Sequence, residues 1–132
     1  MYVFVYGTLM QGFDNPVAQF LRKHSDFIGN GSTPGVLYDL GSFPGAIFDT
    51  SSPKKIQGEV YKITKNTEAV LAALDQYEGI DDPSFNYYQK NEAHIKTDIG
   101  EINAMVYNFI NPIQTYYHLI ASGDYRNHLE NQ

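Results

Sequence analysis

The sequence has 132 residues, of which 42% are hydrophobic and 18% are charged, as expected of one globular domain with a buried core. It carries a net charge of −6 with scattered Lys and Arg residues and contains no cysteine. These features exclude nucleic acid and anionic membranes as partners, and they exclude disulfides, thiolate catalysis and cysteine-based zinc sites. No apolar run predicts a membrane span and no signal-peptide pattern is seen, so a cytoplasmic location is expected.

The N-terminal elements are predicted by one apolar run and one helix-start pattern. Residues 2–6, YVFVY, predict a buried strand that ends in a turn at Gly7. Asn15 before Pro16 is typical of a helix start, and apolar residues at helical spacing extend this helix to about His24.

Between residues 26 and 48, short apolar pieces alternate with glycine and proline. This pattern predicts short strands and tight turns, with Gly41-Ser42 and Pro44-Gly45 as breaks. Residues 56–63 then alternate as a half-buried strand does.

A second helix is predicted after this strand, with Thr64 or Asn66 as its cap and Gly79 at its C-terminal end. Strand-like segments at 87–97 and 101–109 flank turn residues and predict a β-hairpin.

The tail, residues 111–132, predicts one short helix and a polar end from about residue 123. Together the elements predict one mixed domain over residues 1–132, dominated by a curved sheet or small barrel. The eleven tyrosines and eight phenylalanines favour a β-rich body, either lining a cavity or simply packing strands.

The histidines do not form a metal-site pattern. His24, His94, His118 and His128 have neither a second histidine nor a carboxylate at metal-ligand spacing, so isolated surface histidines are expected and no metal is predicted.

Asp75 and Glu78 end the second helix in the segment LDQYEG. Two negative charges at a helix C-terminus oppose the helix dipole, and a solvated polar face is the ordinary interpretation. The alternative is that Glu78 works in a pocket, because Tyr77, Gly79 and Ile80 give it a partly apolar setting. Desolvation there would raise its pKa and make it a usable base near neutral pH.

The turn Tyr6-Gly7-Thr8-Leu9 has neither the lysine nor the glycine spacing of a nucleotide-binding loop. Its backbone N–H groups could instead hold a carboxylate or a developing oxyanion. Thr8 lacks an activating histidine nearby and a free terminal amine, so it is interpreted as a hydrogen-bond donor and not as a nucleophile.

The segment VFVYGTL at the N-terminus and the later LDQYEG together resemble the γ-glutamyl cyclotransferase-like family. In that family a strand leads into a Y-G-[ST]-L loop, and a helix ends in a D-x-[YFL]-E-[GH] segment with the catalytic glutamate. The segments that agree less specifically are GVLYDLGSFPGAIF at 35–48, IQGEVYKI at 56–63, the Tyr87-Tyr88 strand, AMVY at 104–107 and SGDY at 122–125.

This resemblance implies an α+β fold in which a small mixed β-barrel with short flanking helices surrounds a central cavity. It implies that Glu78 is the acid/base, and that the substrate-binding residues are Tyr6, Gly7, Thr8, Leu9 and Tyr88. The implied substrate is a small γ-glutamyl compound whose α-amino group attacks its own γ-carbonyl, releasing 5-oxoproline and an amine. The implied reaction needs no metal, cofactor or covalent intermediate.

Two functions remain open at this point. The first is a cyclotransferase that acts on a γ-glutamyl-amino acid or a γ-glutamylamine. The second is a non-catalytic module of the same fold that binds small carboxylates or amino acids. One departure bears on the choice, because the family often has Y-x-R or Y-R where this sequence has Tyr87-Tyr88-Gln89-Lys90. The leaving amine and the oligomeric state are not predicted.

Overall fold

The computed structural model describes residues 1–80, 82–84 and 86–131. Its strands are β1 (Tyr2–Val5), β2 (Ser25–Asp39), β3 (Pro44–Phe48), β4 (Lys55–Ile63), β5 (Tyr88–Thr97), β6 (Gly100–Phe109) and β7 (His118–Leu119). Its helices are α1 (Pro16–Lys23), α2 (Thr67–Glu78) and α3 (Tyr125–Glu130). Within the described ranges, no helix is both long and apolar enough to cross a membrane.

Five strands close into a barrel in the order β2-β4-β1-β6-β5, and β5 pairs again with β2. The β1–β6 pair is parallel, with Val3 opposite Met105, and the other pairs are antiparallel. β3 and β7 both pair with the end of β2, outside the closed barrel. The structure therefore confirms the predicted α+β class with a small mixed barrel and short helices.

The segment from residue 26 to 48 differs from the sequence prediction. It contains the long strand β2 and the strand β3, which residues 40–43 separate, so the predicted break at Gly41-Ser42 is confirmed. The predicted break at Pro44-Gly45 is wrong because β3 begins at Pro44, and β2 is one continuous strand. Gly31 of β2 does not end a strand but lets a neighbouring strand come close. A Cβ on Gly31 would lie 2.5 Å from Cγ2 of Ile95. Gly31 stands where β2 meets β5 and the barrel closes.

The helix ends follow the local sequence. Asn15 caps α1, because its Oδ1 accepts a hydrogen bond from the Ala18 N–H at 2.8 Å. Asn66 precedes α2 in a left-handed conformation without a side-chain cap. Gly79 ends α2 at a φ of 73°, which a glycine adopts without strain. The predicted C-terminal glycine is confirmed, and Glu78 is the last residue of the helix.

Two histidines depart from the prediction of isolated surface side chains. His24 is buried, and its Nδ1 lies 2.9 Å from the carbonyl oxygen of Phe20. His128 on α3 has its Nε2 2.8 Å from the carboxylate of Asp39. The prediction is wrong for both because their partners come from the fold, and for His128 the partner is 89 positions away.

A buried carboxylate fixes the segment that follows the first turn. Glu59 on β4 is 1% exposed, and its Oε1 accepts hydrogen bonds from the Gln11 N–H at 2.8 Å and the Tyr61 hydroxyl at 2.9 Å. Its Oε2 pairs with Arg126 of α3 at 2.9 Å. Arg22 of α1 donates to the carbonyl oxygens of residues 10 and 13. Residues 10–13 are therefore held from three sides.

Replacing Arg126 by methionine should leave Glu59 buried without its counterion. We expect the free energy of unfolding at pH 7 to fall by about 2–4 kcal/mol. Without Arg126 the Glu59 carboxylate stays buried, and no counterion then offsets the cost of removing its charge from water. Urea unfolding monitored by circular dichroism measures this change. Lys96→Met, at an exposed position of β5, is the control. An equally small change in the free energy of unfolding for both variants would contradict the prediction.

Candidate active site

A cavity of about 220 Å³ opens beside the first turn of the chain. Five parts of the fold contribute to it: β1 with the loop after it, the β2–β3 turn, the end of α2, β5 and β6. The lining residues are Phe4, Val5, Tyr6, Gly7, Thr8, Leu9, Ser42, Phe43, Pro44, Tyr77, Glu78, Tyr88 and Tyr107. None of these lining residues is a lysine, arginine or histidine, so Glu78 brings the only formal side-chain charge among them.

The Glu78 carboxylate stands in this cavity at the end of α2. Protein atoms surround it, and this burial raises its pKa to about 7. In the described part of the chain, no hydrogen-bond donor or counterion contacts it to oppose that shift. Burial therefore shifts the pKa of Glu78 in the expected direction, and the carboxyl group can exchange a proton near neutral pH.

The loop after β1 lines the same cavity with residues 7–9. The N–H groups of Gly7, Thr8 and Leu9 meet no backbone or side-chain acceptor within the described ranges. The loop is nevertheless fixed, because the Met10 N–H bonds to the Gly7 carbonyl at 3.2 Å and Asn15 donates to the Thr8 carbonyl at 2.8 Å. Donors fixed in this way are suited to an anionic or carbonyl oxygen.

A direct hydrogen bond joins this loop to α2. The Thr8 Oγ1 lies 2.6 Å from the hydroxyl of Tyr77, the residue before Glu78. The backbone donors and the carboxylate are therefore held relative to each other by a contact between their immediate neighbours.

Gly7 is required by its neighbour as well as by the cavity. A Cβ on Gly7 would lie 2.7 Å from Cγ of Pro44, a cavity-lining residue of β3. The Pro44 carbonyl in turn accepts a hydrogen bond from the Tyr88 hydroxyl at 2.7 Å. The absence of a side chain at residue 7 lets the β2–β3 turn close over the loop.

Three buried tyrosines surround the cavity, and each donates its hydroxyl proton to the protein. Tyr6 donates to the Tyr107 carbonyl at 2.8 Å, Tyr88 to the Pro44 carbonyl, and Tyr107 to Oδ1 of Asp75 at 2.7 Å. Burial raises the pKa of all three hydroxyls, and the negative charge of Glu78 raises each of them further. The three phenols therefore stay protonated and lie close enough to Glu78 to interact with its charge.

Asp75 and Lys90 form a brace on the outer side of Tyr107. The Nζ of Lys90 lies 2.9 Å from Oδ2 of Asp75, whose other oxygen accepts from Tyr107. Lys90 follows Gln89, the position where the family often has arginine, and it is absent from the cavity lining. This cation thus ties β5 to α2.

The residues predicted from sequence for the site, Tyr6, Gly7, Thr8, Leu9, Glu78 and Tyr88, all line the one cavity, and their roles there stay predictions. Sequence reasoning missed Tyr107, Tyr77 and Pro44 as site residues. Tyr77 adjoins Glu78 and was noted only for its apolar character. Tyr107 stood only in the less specific strand segment AMVY at 104–107, which does not say what its hydroxyl contacts.

Comparison with known proteins gives a consistent family match. Residues 3–127 match the profile of the family described as γ-glutamyl cyclotransferase, AIG2-like. A Methanocaldococcus jannaschii protein with the provisional name γ-glutamylcyclotransferase is 33% identical over 128 residues, which is 96% of this chain and 97% of that protein.

Solved structures show the same fold. YkqA from Bacillus subtilis, also provisionally named a γ-glutamylcyclotransferase, has a crystal structure that superposes with a TM-score of 0.74 at 30% identity. The match covers 98% of this chain and 41% of YkqA, so the chain spans about two fifths of that relative. A mouse AIG2-like protein superposes with a TM-score of 0.70 at 24% identity, covering 94% of this chain and 86% of the mouse chain.

The raised pKa of Glu78 predicts a pH-dependent effect of Glu78→Gln on stability. The folded state holds this proton up to about pH 7, whereas the unfolded chain releases it near pH 4.5. Wild-type stability therefore falls as the pH rises through this window. At pH 8 we expect the glutamine variant to be more stable than the wild type by roughly 1–3 kcal/mol, and the difference should vanish below pH 4.5.

Urea unfolding at pH 4.5 and pH 8 measures both differences. Glu68→Gln, an exposed position in the first turn of α2, is the matched control and should show no gain at pH 8. A stability difference for Glu78→Gln that is the same at both pH values would contradict the raised pKa.

Proposed function

Because the chain belongs to the γ-glutamyl cyclotransferase, AIG2-like family, we propose that it cyclises γ-glutamyl compounds to 5-oxoproline with Glu78 as general acid/base. The substrate is a γ-glutamyl-amino acid or a γ-glutamylamine. The observation that carries the proposal is that a carboxylate with a pKa of about 7 and the bare backbone amides of residues 7–9 line one small cavity.

The chemistry begins with a proton transfer. The α-ammonium group of the substrate is protonated at neutral pH and is not a nucleophile until it loses a proton. Glu78 takes that proton, and the resulting amine attacks the γ-carbonyl carbon to form a five-membered ring. A carboxylate whose pKa is near 7 suits this transfer better than one near 4.5.

Collapse of the tetrahedral intermediate completes the reaction. Negative charge develops on the former carbonyl oxygen, where the N–H groups of Gly7, Thr8 and Leu9 are the proposed donors. Glu78 then delivers a proton to the departing nitrogen as its bond to carbon breaks. The ring nitrogen loses two protons in all and the released amine gains two, so the reaction is balanced without a co-reactant.

The catalytic assignment predicts the behaviour of Glu78→Gln in a turnover assay. With γ-glutamyl-amino acids and γ-glutamyl-lysine as substrates, the wild type should form 5-oxoproline, measured by chromatography. The glutamine variant should lose about 10²- to 10⁴-fold in kcat, the usual contribution of a positioned acid/base.

Glu68→Gln on the exposed face of α2 serves as the control and should retain wild-type turnover. Full activity in Glu78→Gln would overturn the assignment. Stabilisation of the wild type by amino acids without any product would instead favour the binding-module alternative.

The pH profile of kcat/KM is a separate prediction. The reactive pair is ionised Glu78 and the protonated amine of the free substrate, so kcat/KM should rise with pH through about 7 and fall at higher pH, where the free amine loses its proton. Initial rates at low substrate concentration from pH 5 to pH 10 measure it. A profile that rises near pH 4.5 and is flat through pH 7 would show that the group with the raised pKa is not the base.

A further inference from the structure

Two segments that carry the family resemblance have parts without a task in the proposed chemistry. They are YDLG at 38–41, before the cavity-lining residues of the β2–β3 turn, and SGDY at 122–125, before and within α3. The structure brings the two together. Nε2 of His128 on α3 lies 2.8 Å from Oδ2 of Asp39, the last residue of β2. This contact joins the C-terminal helix to the strand that leads into the cavity wall.

The segment SGDY fixes the start of α3 on the barrel. Gly123 has a φ of 70°, and a Cβ there would collide with the carbonyl oxygen of Lys55 at the start of β4. The carbonyl oxygen of Gly123 accepts a hydrogen bond from the Gln57 N–H at 2.8 Å. Asp124 caps α3, because its Oδ1 accepts from the Asn127 N–H at 3.2 Å. The helix therefore begins at a fixed point beside β4.

From this point α3 reaches two segments of the chain that lead to the cavity. Tyr125 is buried and its ring stacks on that of Phe13, with centroids 6.1 Å apart and planes at 18°. Arg126 donates to the Gln11 carbonyl at 3.1 Å, so these contacts hold the segment after the loop of residues 7–9. His128 at the other end of the helix contacts β2, next to the β2–β3 turn.

Asp39 transmits the contact of His128 to this turn. Its side chain is largely buried, its Oδ2 faces His128, and its Oδ1 accepts a hydrogen bond from the Gly41 N–H at 2.8 Å. Burial raises the pKa of Asp39, but the hydrogen bonds from His128 and Gly41 outweigh burial and lower the pKa below its usual value. The carboxylate is therefore ionised and held at both oxygens.

The turn that follows Asp39, residues 40–43, is part of the cavity wall through Ser42 and Phe43. Its backbone bends sharply: Gly41 has a φ of 117°, and the Leu40 N–H bonds to the Phe43 carbonyl at 3.0 Å. Gly41 and Ser42 are exposed, so packing contributes little to their order. The hydrogen bond from Gly41 to Asp39 then has a large share in fixing the turn.

We propose that His128 and Asp39 are positioning residues that hold the β2–β3 turn in place as a wall of the cavity. Neither side chain lines the cavity, so both act through the backbone of residues 40–43. Because the turn is already ordered, a ligand does not have to order it, and this cost is absent from the binding free energy. The role in substrate binding rests on the proposed function, whereas the role in fixing the turn does not.

Hydrogen exchange of the Gly41 N–H, measured by NMR, tests the positioning without any ligand. His128→Phe keeps an aromatic ring beside Tyr125 and removes the nitrogen that contacts Asp39. We expect the exchange rate of the Gly41 N–H to rise at least about tenfold, since the carboxylate loses a partner on one side and turns towards water. A role in global stability alone would accelerate exchange in core strands such as β4 and leave Gly41 unchanged, which would overturn the proposal.

Two variants of Asp39 separate its hydrogen bonds from its other contacts. Asp39→Asn keeps an oxygen for the Gly41 N–H, and its amide group can donate to Nε2 of His128. The exchange rate of Gly41 should therefore stay within about threefold of the wild type. Asp39→Ala removes both hydrogen bonds and should accelerate the exchange at least about tenfold. Wild-type exchange in Asp39→Ala would overturn the proposal.

His118→Phe is the matched control. His118 is an exposed residue of β7 and stands opposite Asp39 in the β2–β7 pair. Within the described ranges, the hydrogen bonds of the Asp39 carboxylate go to His128 and Gly41 and not to His118. The exchange rate of Gly41 in this variant should equal that of the wild type. An acceleration as large as that in His128→Phe would show that the hydrogen bond from α3 is not what fixes the turn.

Steady-state kinetics with γ-glutamyl substrates tests the role in binding. In His128→Phe, KM should rise about tenfold while kcat stays within about twofold of the wild type, because Glu78 and the loop of residues 7–9 are unchanged. His118→Phe should match the wild type in both constants. An unchanged KM in His128→Phe would overturn the role in substrate binding.

The two measurements keep this proposal apart from the proposed function. Faster exchange of Gly41 in His128→Phe, without any 5-oxoproline from the wild type, would refute the proposed function and support the positioning pair. Turnover by the wild type, with the same Gly41 exchange and the same KM in His128→Phe, would refute the positioning pair and keep the function.

Discussion

The Glu78 carboxylate is held in a cavity where protein atoms exclude most of its water, and the described residues provide it with no donor or counterion. Burial of such a group is unfavourable for its charged form and shifts its proton equilibrium towards neutrality. The surrounding fold serves to maintain this condition. Gly79 ends α2 directly after the glutamate, and the hydrogen bond between Tyr77 and Thr8 holds this helix end against the loop.

The chain contains a second inward-facing glutamate, and the contrast between the two is instructive. Glu59 accepts bonds from a backbone amide, a tyrosine and an arginine, as a buried charge must if it is to stabilise a fold. Within the described ranges, Glu78 has none of these partners. Fully paired charges are structural in the ordinary case, and an unpaired one with a shifted pKa marks a candidate site.

The hydroxyl groups of the cavity tyrosines differ from one another in where they can still form hydrogen bonds, and the fold decides this by taking their protons. A hydroxyl is chemically ambiguous, because it can donate or accept. At Tyr88 and Tyr107, acceptors in the fold resolve the ambiguity by taking the proton. The cavity is thereby lined by tyrosine oxygens that can accept a further hydrogen bond. The loop of residues 7–9 in the same lining carries backbone N–H groups without an acceptor among the described residues.

Several features of the fold and of the candidate site could be predicted from local sequence, and the predictions that were wrong have a common cause. Neighbouring residues determine the cap at Asn15, the end of α2 at Gly79 and the β5–β6 hairpin. The partly apolar residues beside Glu78 likewise indicated that its pKa would be raised. The continuous strand β2 was mistaken for several short ones, because glycine ends many strands and here serves the close contact of barrel closure. His128 was misjudged because its partner is remote.

The sequence by itself determined the order of most elements, the class of fold and, through its two motifs, the family. Backbone conformation and side-chain type act over a few residues, so these properties can be interpreted from the chain alone. Only the tertiary structure decided that the loop of residues 7–9 and Glu78 share a cavity, that Lys90 pairs with Asp75, and which way the tyrosine protons point. Those properties depend on contacts between groups far apart in the chain, and on the water that such contacts exclude.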